Sequence, residues 1–395
     1  MENILSLIGR DQALFSLDIS SHEERIQEVI QTSTFLVIGA AGSIGEAVTK
    51  EIFKRNPASL HCVDINENNL VELVRDIRSS FGYIKGEFKT FVIDCGSEEF
   101  EALLSMNSYD FILNLSALKH VRSESDPLSL MRMVEVNIIN TIKTLKLVED
   151  KSIKKYFCVS TDKAANPVNM MGASKRIMEK FLMKHGRLVD ISTARFANVA
   201  FSNGSLLDGF RYRMEKGQPL AAPSDILRYF ITPQESGELC LMSCLFGESK
   251  DIFFPKLDES LHLIKFSDIA IKFLKLRGYT PYICTSEEEA RKDIESFRKK
   301  NTWPCFFEES NTTGEKGFEE FFTEGEELDL KTYKGIGVVK HSEELNTASL
   351  ENFEKTIYKL RSQKKWSKPE LVELFETCLP NFSHNERGRF LDDKM

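Results

Sequence analysis

The stretch FLVIGAAGSIG, residues 35–45, leads directly into the helix-length segment EAVTKEIF, residues 46–53. A short apolar run, glycines at 39, 42 and 45 and an amphipathic segment are typical of a strand, a tight turn and a helix. Glycines at such a turn let backbone amides and the positive end of the helix approach a pyrophosphate. Close packing of a helix on a strand also selects glycine, but the order of strand, turn, helix and strand favours a dinucleotide site.

The same alternation of short apolar runs and helix-length segments continues to residue 254. The runs cover residues 35–39, 60–64, 90–94, 111–115, 155–160, 191–196 and 251–254. Strands that alternate with helices of this length form a parallel sheet covered on both faces. The sequence therefore predicts an α/β fold, a doubly wound parallel sheet of the Rossmann type, with a dinucleotide-binding domain over residues 31–254.

The flanking segments are predicted to add a smaller part and helices at both ends. They are a helical N-terminal extension (1–30), a substrate-binding part (255–345) with additional substrate loops at 201–228, and a helical C-terminal extension (346–395). The S-x-x-E pattern of a capping box predicts helix starts at Ser21 and at Ser367.

The segment PLSLMRMVEVNIINTIKTLKLV, residues 127–148, is apolar around most of its circumference. A surface helix shows only an apolar stripe, so this helix is predicted to be buried on two sides. One side faces the sheet, and the other faces either a second subunit or another part of the same chain. If a second subunit covers that side, the protein is a homo-oligomer, a dimer or higher. Both alternatives are open at this point.

Composition and charge limit the class of protein. The formal net charge of −8 argues against a nucleic-acid partner held by phosphate contacts. The eight cysteines include no CxxC pair and no clustering with histidine at metal-ligand spacing, so we expect reduced thiols and no metal site. No apolar run approaches the length of a membrane span, which predicts a soluble, cytoplasmic protein without a membrane partner.

Acidic and small residues end the predicted strands after the glycine-rich turn. Asp64 ends the second run at the distance expected for a carboxylate that binds ribose hydroxyls, and it favours NAD because a carboxylate repels the 2′-phosphate of NADP. A nearby Lys or Arg would accommodate NADP. Asp94 either caps a loop or contacts the adenine. The candidate cofactor-binding residues are Gly39, Ala41, Gly42, Ser43, Ile44, Gly45, Asp64, Asp94, Ser116 and Ala117.

A hydroxyl, a carboxylate and an amine follow one another in Ser160-Thr-Asp-Lys163, and a second lysine ends Met171-Gly-Ala-Ser-Lys175. Such groups transfer or position protons. Taken alone, Thr161-Asp162 is more often a helix or turn cap, and Lys163 a solvated charge. The C-terminal end of a strand in an open α/β sheet is where ligands bind, and this location favours an active site.

Five motifs together resemble the extended short-chain dehydrogenase/reductase superfamily. They are the glycine-rich turn, Asn114-Leu-Ser-Ala-Leu-Lys-His120, Ser160-Thr-Asp-Lys163, Met171-Gly-Ala-Ser-Lys175 and Arg195-Phe-Ala-Asn198. Within the superfamily, residues 33–325 are similar to UDP-N-acetylglucosamine 4,6-dehydratases of the CapD-like polysaccharide-biosynthesis type. The resemblance implies an NAD(P)-dependent lyase that oxidises C4 of a UDP-sugar, eliminates water across C5 and C6, and returns the hydride to C6.

The resemblance also implies roles for the residues of the catalytic stretch. Thr161 matches the hydroxyl donor to the sugar C4 oxygen, Asp162 the acid and Lys163 the second base, while Lys175 matches the lysine that holds the nicotinamide ribose. Met171 stands where the superfamily has a tyrosine, and a thioether cannot transfer a proton. The group that deprotonates the C4 hydroxyl is therefore left open among Asp162, neutral Lys163 and a water held by Lys175.

The segments that cover the nucleotide sugar in this family supply the candidate substrate contacts Asn198, Ser202, Asn203, Ser205 and Arg228. Arg228 either pairs with the UDP phosphates or forms a surface ion pair. Lys119 and His120 are candidates to face the sugar, and a structural histidine is the alternative for His120. Thr313-Gly-Glu-Lys316 resembles the RPGEK element without its arginine and proline. A UDP-hexose 4-epimerase and a non-catalytic nucleotide-sugar or NAD-binding protein remain alternative functions, because both share the fold.

Overall fold

The computed structural model describes residues 4–257, 262–311, 316, 318–340, 345–384 and 386. The strands are β1 (Thr34–Ile38), β2 (Ser59–Asp64), β3 (Glu87–Val92), β4 (Phe111–Asn114), β5 (Lys155–Thr161), β6 (Ile191–Phe196), β7 (Asn198–Val199), β8 (Leu220–Pro223), β9 (Leu227–Arg228), β10 (Phe230–Ile231), β11 (Ile252–Pro255), β12 (Ile264–Lys265), β13 (Thr280–Ile283), β14 (Thr302–Glu308), β15 (Glu327–Asp329) and β16 (Ile336–Lys340).

The helices lie between and after these strands. They are α1 (Ile4–Leu7), α2 (Ser16–Gln31), α3 (Ser43–Phe53), α4 (Glu67–Phe81), α5 (Glu98–Met106), α6 (Pro127–Val134), α7 (Asn140–Val148), α8 (Met170–His185), α9 (Leu206–Glu215), α10 (Pro233–Phe246), α11 (Phe266–Leu276), α12 (Glu287–Arg291), α13 (Ile294–Lys299), α14 (Thr347–Gln363) and α15 (Lys368–Cys378). A π-helical segment, Glu135–Ile139, joins α6 to α7.

One sheet of nine strands forms the centre of the molecule, in the order β15-β16-β11-β6-β5-β4-β1-β2-β3. The strands from β3 to β11 run parallel, and the order reverses at β1 and β4, which is the doubly wound arrangement. Every apolar run predicted as a strand belongs to this parallel part. The predicted fold class is confirmed.

The antiparallel strands β16 and β15 extend the sheet beyond β11. They come from residues 327–340, inside the range predicted as the substrate-binding part, whereas β8, from the predicted substrate loops, joins a separate three-stranded sheet with β14 and β13. Two further pairs, β7 with β10 and β9 with β12, form separate two-stranded sheets. The domain boundaries themselves stay a prediction.

The apolar segment 127–148 is covered by the C-terminal helices of the same chain. Buried side chains of α6, the π-helical segment, α7 and α8 form one apolar cluster with α14 and α15, including Leu130, Ile138 and Phe353. Trp366 Nε1 donates a hydrogen bond to the Pro127 carbonyl at 2.8 Å, and Arg361 contacts Glu135 at 2.5 Å. The second side of this helix therefore faces another part of the chain, so its composition no longer argues for a dimer.

The two capping-box predictions differ in outcome. Ser367 caps α15 as predicted, with both reciprocal hydrogen bonds to Glu370 present. The prediction at Ser21 is wrong, because α2 begins five residues earlier, at Ser16. Buried Asp18 in the first turn of α2 accepts hydrogen bonds from the amides of Lys334 (2.6 Å) and Gly335 (2.7 Å), which ties this helix to the start of β16.

Among the residues that the structure describes, no helix combines the length and the apolar character needed to cross a membrane. Within the same ranges, no group of three or more His, Cys, Asp or Glu side chains is arranged to hold a metal ion.

Candidate active site

The turn between β1 and α3 lies at the carboxyl edge of the parallel sheet, where the strand order reverses. Gly39 has φ +75°, and a Cβ there would lie 2.8 Å from the Ser116 amide. A Cβ on Gly45 would lie 2.0 Å from the Gly39 carbonyl oxygen. These two glycines are thus required by the packing of the protein itself.

Gly42 is different, since a Cβ there would meet only the Gly39 carbonyl oxygen, at 3.5 Å. Gly42 is also the N-cap of α3 and has the extended φ of −79°. Neither strain nor crowding inside the protein explains a glycine at this position. The open space lies at the N-terminus of a helix, where a pyrophosphate binds favourably.

Asp64 ends β2 beside this turn. One carboxylate oxygen accepts from the Ala41 amide at 3.0 Å, and the other accepts from the Asn66 amide at 2.9 Å. Ser43 accepts a hydrogen bond from the Asn203 amide at 2.8 Å, so the turn also contacts the loop of residues 202–205. Ile44 packs against the apolar core. The structure therefore brings the predicted cofactor residues of β1, α3 and β2 together.

Two further cofactor candidates have structural partners. Asp94 accepts from the Gly96 amide at 2.8 Å and from Arg132 at 3.1 Å, which is the loop-capping alternative for this residue. Ser116 donates its hydroxyl to Asn114 at 2.7 Å and lies beside Gly39, next to Ala117. The adenine contact of Asp94 stays a prediction.

Thr161, Asp162 and Lys163 form the last residue of β5 and the 3₁₀ turn that follows it. Asp162 Oδ1 accepts from the Thr161 hydroxyl (2.9 Å), the Lys163 amide (2.8 Å) and Lys163 Nζ (3.0 Å). Oδ1 of Asp162 therefore caps the turn, which is the structural role considered for Thr161-Asp162 from the sequence. The other oxygen, Oδ2, is buried without a hydrogen-bond partner in the described part of the chain. A buried carboxylate oxygen in that condition is available to a ligand.

A residue far along the chain completes this group. Buried Glu319 places Oε1 3.7 Å from Lys163 Nζ and 3.9 Å from a guanidinium nitrogen of Arg228. Arg228 also donates to the carbonyl of Lys316 at 3.0 Å. Two acids and two cations thus meet at the end of β5, and we call Asp162, Lys163, Arg228 and Glu319 the charge cluster.

Burial and charge act in opposite directions on the charge cluster. Burial lowers the pKa of the Lys163 ammonium, but the carboxylates of Asp162 and Glu319 more than offset burial, and the pKa is raised. For Glu319, burial raises the pKa, and the opposing Lys163 and Arg228 charges do not cancel it, since the Asp162 charge adds to the effect. The Lys163 ammonium thus lies between two carboxylates, and Asp162 is the nearer of the two.

Buried ion pairs hold the segment that carries Glu319. Arg195 binds Glu179 (2.9 Å) and Glu326 (2.8 Å), and it also donates to the Phe321 carbonyl at 2.9 Å. Burial favours the neutral form of Glu179, yet the Arg195 charge prevails and lowers the pKa to about 2. Ser160 donates to the same Glu179 at 2.6 Å. The strand end and residues 319–326 are therefore fixed to one another.

Lys175 and Met171 lie on the first turns of α8, the helix that follows the triplet Thr161-Asp162-Lys163. Lys175 Nζ donates to the Val159 carbonyl at 3.1 Å, and burial lowers the pKa of this ammonium. Met171 is buried in the apolar cluster with α6 and α14. Gly172 lets α8 approach, because a Cβ there would lie 2.4 Å from the Lys163 carbonyl oxygen.

A second group of predicted contacts forms between the loop after β4 and residues 202–205. Lys119 Nζ donates to the Asn203 carbonyl at 2.8 Å and to Ser202 at 3.4 Å. The His120 ring lies next to Gly204, so that a Cβ there would be 3.2 Å from Nε2. Burial lowers the pKa of both Lys119 and His120.

Two other residues predicted to contact the substrate, Ser205 and Asn198, form hydrogen bonds within the protein. Ser205 caps α9, accepting from the Asp208 amide at 3.2 Å, and Asn198 donates to the Tyr229 carbonyl at 3.3 Å. Thr313 to Glu315 lie outside the described residues. Glu319 was not predicted from the sequence; its only signal is its position three residues after Lys316, at the end of the RPGEK-like element.

A sequence model for the family described as polysaccharide biosynthesis protein matches residues 35–341, more than half of the chain. An uncharacterized membrane protein of Methanocaldococcus jannaschii is 31% identical over 65% of this chain and 76% of that protein. The probable polysaccharide biosynthesis protein EpsC of Bacillus subtilis is 29% identical over 75% of this chain, which spans only 49% of EpsC.

Two relatives with named activities differ from each other in reaction. A UDP-glucose 4-epimerase of Rickettsia typhi is 27% identical over 66% of this chain and 80% of its own. An inverting UDP-N-acetylglucosamine 4,6-dehydratase of Campylobacter jejuni is 27% identical over 56% of this chain and 66% of its own.

Solved structures share the fold. Pen of Bacillus thuringiensis superposes with a TM-score of 0.64 at 19% identity, covering 78% of this chain and 88% of Pen. WbmF of Bordetella bronchiseptica, in complex with NAD+ and UDP, gives 0.52 at 17% identity, covering 64% and 79%.

Proposed function

The chain belongs to the family of polysaccharide biosynthesis proteins, and on this premise we propose that it is a nucleotide-sugar 4,6-dehydratase. The proposed reaction converts UDP-N-acetylglucosamine into a UDP-4-keto-6-deoxy-N-acetylhexosamine with NAD or NADP, for surface glycan or glycoprotein sugars. The observation that carries the proposal is the partly buried contact of 3.0 Å between Asp162 and Lys163 Nζ at the end of β5. Dehydration needs an acid and a base at adjacent carbons, and this pair supplies both kinds of group.

The glycine-rich turn supports a dinucleotide beside this pair. The open space at Gly42 suits a pyrophosphate, and the Asp64 carboxylate suits ribose hydroxyls. When bound, the nicotinamide would supply the hydride acceptor for C4 and the hydride donor for C6. Lys175, whose Nζ is held by the Val159 carbonyl, is proposed to bind the nicotinamide ribose. WbmF, which shares the fold, was solved with NAD+ and UDP.

The Asp162–Lys163 contact explains how one pair provides both acid and base. Lys163 rests as an ammonium, since its pKa is raised. Transfer of one proton along the 3.0 Å contact turns the ion pair into a neutral amine and a carboxylic acid. A neutral pair is cheaper to bury once the sugar excludes water. The amine then takes the C5 proton, the acid protonates the leaving C6 hydroxyl, and the Thr161 hydroxyl donates to the C4 oxygen. When the hydride returns to C6, the Lys163 ammonium gives a proton back to C5, and the proton lost from the C4 hydroxyl restores that ammonium.

Incubation with UDP-N-acetylglucosamine and NAD, followed by mass spectrometry, tests the proposal. We expect a UDP-sugar lighter by one water from the wild-type protein and none from Lys163→Ala. If neither this substrate nor other UDP- and dTDP-sugars give such a product, the proposed function is wrong.

A UDP-hexose 4-epimerase is the second candidate, because the Rickettsia typhi epimerase aligns with a larger share of this chain than the Campylobacter jejuni dehydratase does. Epimerisation needs no acid and base at C5 and C6, and the tyrosine of the superfamily is replaced by buried Met171. An isomeric product of unchanged mass would favour the epimerase. Tight ligand binding without turnover would favour a non-catalytic binding protein.

A further inference from the structure

We propose that Glu319 is a positioning residue of the site, holding the Lys163 ammonium and the Arg228 guanidinium in place for the acid–base pair. This inference rests on the proposed function, because it assigns Glu319 a role in the reaction of Asp162 and Lys163. It concerns a residue beyond the predicted triplet and brings a distant part of the chain into the site.

The geometry places Glu319 between two cations. Its Oε1 lies 3.7 Å from Lys163 Nζ and 3.9 Å from Arg228, while Asp162 lies on the same ammonium at 3.0 Å. The side chains of Glu319, Arg228 and Asp162 are 4%, 5% and 2% exposed, and that of Lys163 is 19% exposed. Two negative and two positive charges therefore balance in a buried cluster. Removing one acid leaves a net positive charge that water screens only in part, since only Lys163 is partly exposed.

The position of Glu319 is imposed by contacts outside the cluster. Glu326, seven residues later, binds buried Arg195 and accepts from the Thr323 amide at 2.8 Å. Arg195 in turn donates to the Phe321 carbonyl. These contacts fix residues 319–326 against β6 and α8, so Glu319 is presented to Lys163 by a rigid support and not by a free surface loop.

The neighbouring Glu320 offers a matched control. It is 49% exposed on its side chain and lies 3.8 Å from Lys316. It also accepts a hydrogen bond from Asn166 at 2.8 Å on the surface. Glu319 and Glu320 thus have the same chemistry and adjacent positions, but only Glu319 belongs to the charge cluster.

The inference predicts a change in the protonation of Lys163 that can be measured without turnover. An opposite charge within about 4–6 Å favours the charged form of an amine. Glu319→Gln removes such a charge, so more of Lys163 is neutral at a given pH. The neutral amine is the form that reacts with acetic anhydride, and peptide mass spectrometry follows the labelling of this one lysine.

The experiment measures the labelling rate of Lys163 against pH in the wild-type protein, Glu319→Gln and Glu320→Gln. We expect the labelling midpoint to move to lower pH in Glu319→Gln, with about tenfold faster labelling at a fixed pH below the midpoint. The Glu320→Gln curve should match the wild type. If Glu319→Gln only made Lys163 more accessible to the reagent, the labelling rate at high pH would rise and the midpoint pH would stay the same. The midpoint pH therefore distinguishes a change in charge from a change in exposure.

An unchanged midpoint in Glu319→Gln, or an equal shift in Glu320→Gln, overturns the inference. If Glu319→Gln does not fold, Glu319→Met, apolar and similar in length, is measured in the same way with the same two outcomes. The test does not depend on the reaction. A shifted midpoint together with no dehydrated product would refute the proposed function and leave the role of Glu319 standing.

Discussion

At the scale of single residues, the site is organised around one carboxylate. Asp162 uses Oδ1 to bind Thr161 and Lys163 and leaves Oδ2 buried without a partner among the described residues. The triplet was found from the sequence because it directly follows a recognisable strand. Glu319 was not, since its contact with Lys163 depends on how a distant segment is anchored by Arg195. A side chain brought in by tertiary packing leaves no local pattern.

Substitutions in the triplet should separate chemistry from binding. Asp162→Asn and Lys163→Ala are each expected to abolish dehydration, with at least about a hundredfold loss of kcat, because each removes one proton carrier. NAD binding, measured by calorimetry, should be retained, since neither residue lies in the glycine-rich turn. Met171→Leu, a volume-conserving change in an apolar cluster, should leave kcat within about twofold. Loss of activity in folded Met171→Leu would contradict the spectator role of Met171.

At the scale of secondary structure elements, local patterns predicted the parallel sheet well and its edge poorly. The seven apolar runs all became parallel strands. Six of them are mostly buried, whereas β3 at the edge of the sheet has only exposed and half-buried residues. β15 and β16 were missed because they lie in a charged and aromatic segment and pair antiparallel at the end of the sheet. Likewise, the capping box at Thr232 and Glu235, which opens α10, went unrecognised, while the similar pattern at Ser21 lies inside α2.

The glycine-rich turn yields a prediction that separates packing from ligand binding. Gly45→Ala places a Cβ against the Gly39 carbonyl and should cost about 3 kcal/mol of stability. Gly42→Ala meets only ordinary contact and should unfold at nearly the wild-type temperature, yet weaken NAD binding by about tenfold or more, because the new methyl group occupies the pyrophosphate space. Calorimetric binding and thermal unfolding measure both. Unchanged NAD affinity in Gly42→Ala would contradict the placement of the pyrophosphate.

Helix α10 carries a buried acid whose titration affects stability. Burial raises the pKa of Glu238 to about 7, so the folded protein holds this proton more tightly than the unfolded chain does. Stability from this group is present below the ordinary glutamate pKa and is lost as pH rises towards 7. Glu238→Gln should therefore stabilise the protein at pH 8 by on the order of 2 kcal/mol and have little effect at pH 4. Exposed Glu101→Gln serves as the control; equal effects in both variants would contradict this account.

At the scale of the whole molecule, the C-terminal extension completes the core. α14 and α15 cover an apolar face of α6, α7 and α8 that composition alone could not assign to a subunit or to the same chain. Salt bridges from Lys146 to Glu354 and from Lys184 to Glu351 lie at the border of this contact. The sequence predicted two helices here but not their position, since an apolar face specifies burial and not its partner.

Phe353 tests how much this cover contributes. Its ring is fully buried and lies 5.4 Å from the Phe375 ring and 6.4 Å from the Phe181 ring. Phe353→Ala is expected to lower the free energy of unfolding by about 3–5 kcal/mol in urea. Exposed Lys355→Ala, on the same helix, should change it by less than about 0.5 kcal/mol. A small loss in Phe353→Ala would mean that the C-terminal helices are not part of the core.

The central claim, that the Asp162–Lys163 pair serves a 4,6-dehydration, is tested most directly with UDP-N-acetylglucosamine carrying deuterium at C4. The product is analysed by mass spectrometry and NMR. The account predicts a UDP-4-keto-6-deoxy sugar that has lost one water and carries the deuterium on C6, because the hydride taken from C4 returns within the same molecule. A product of unchanged mass that keeps deuterium at C4, or no conversion of any nucleotide sugar, would contradict it.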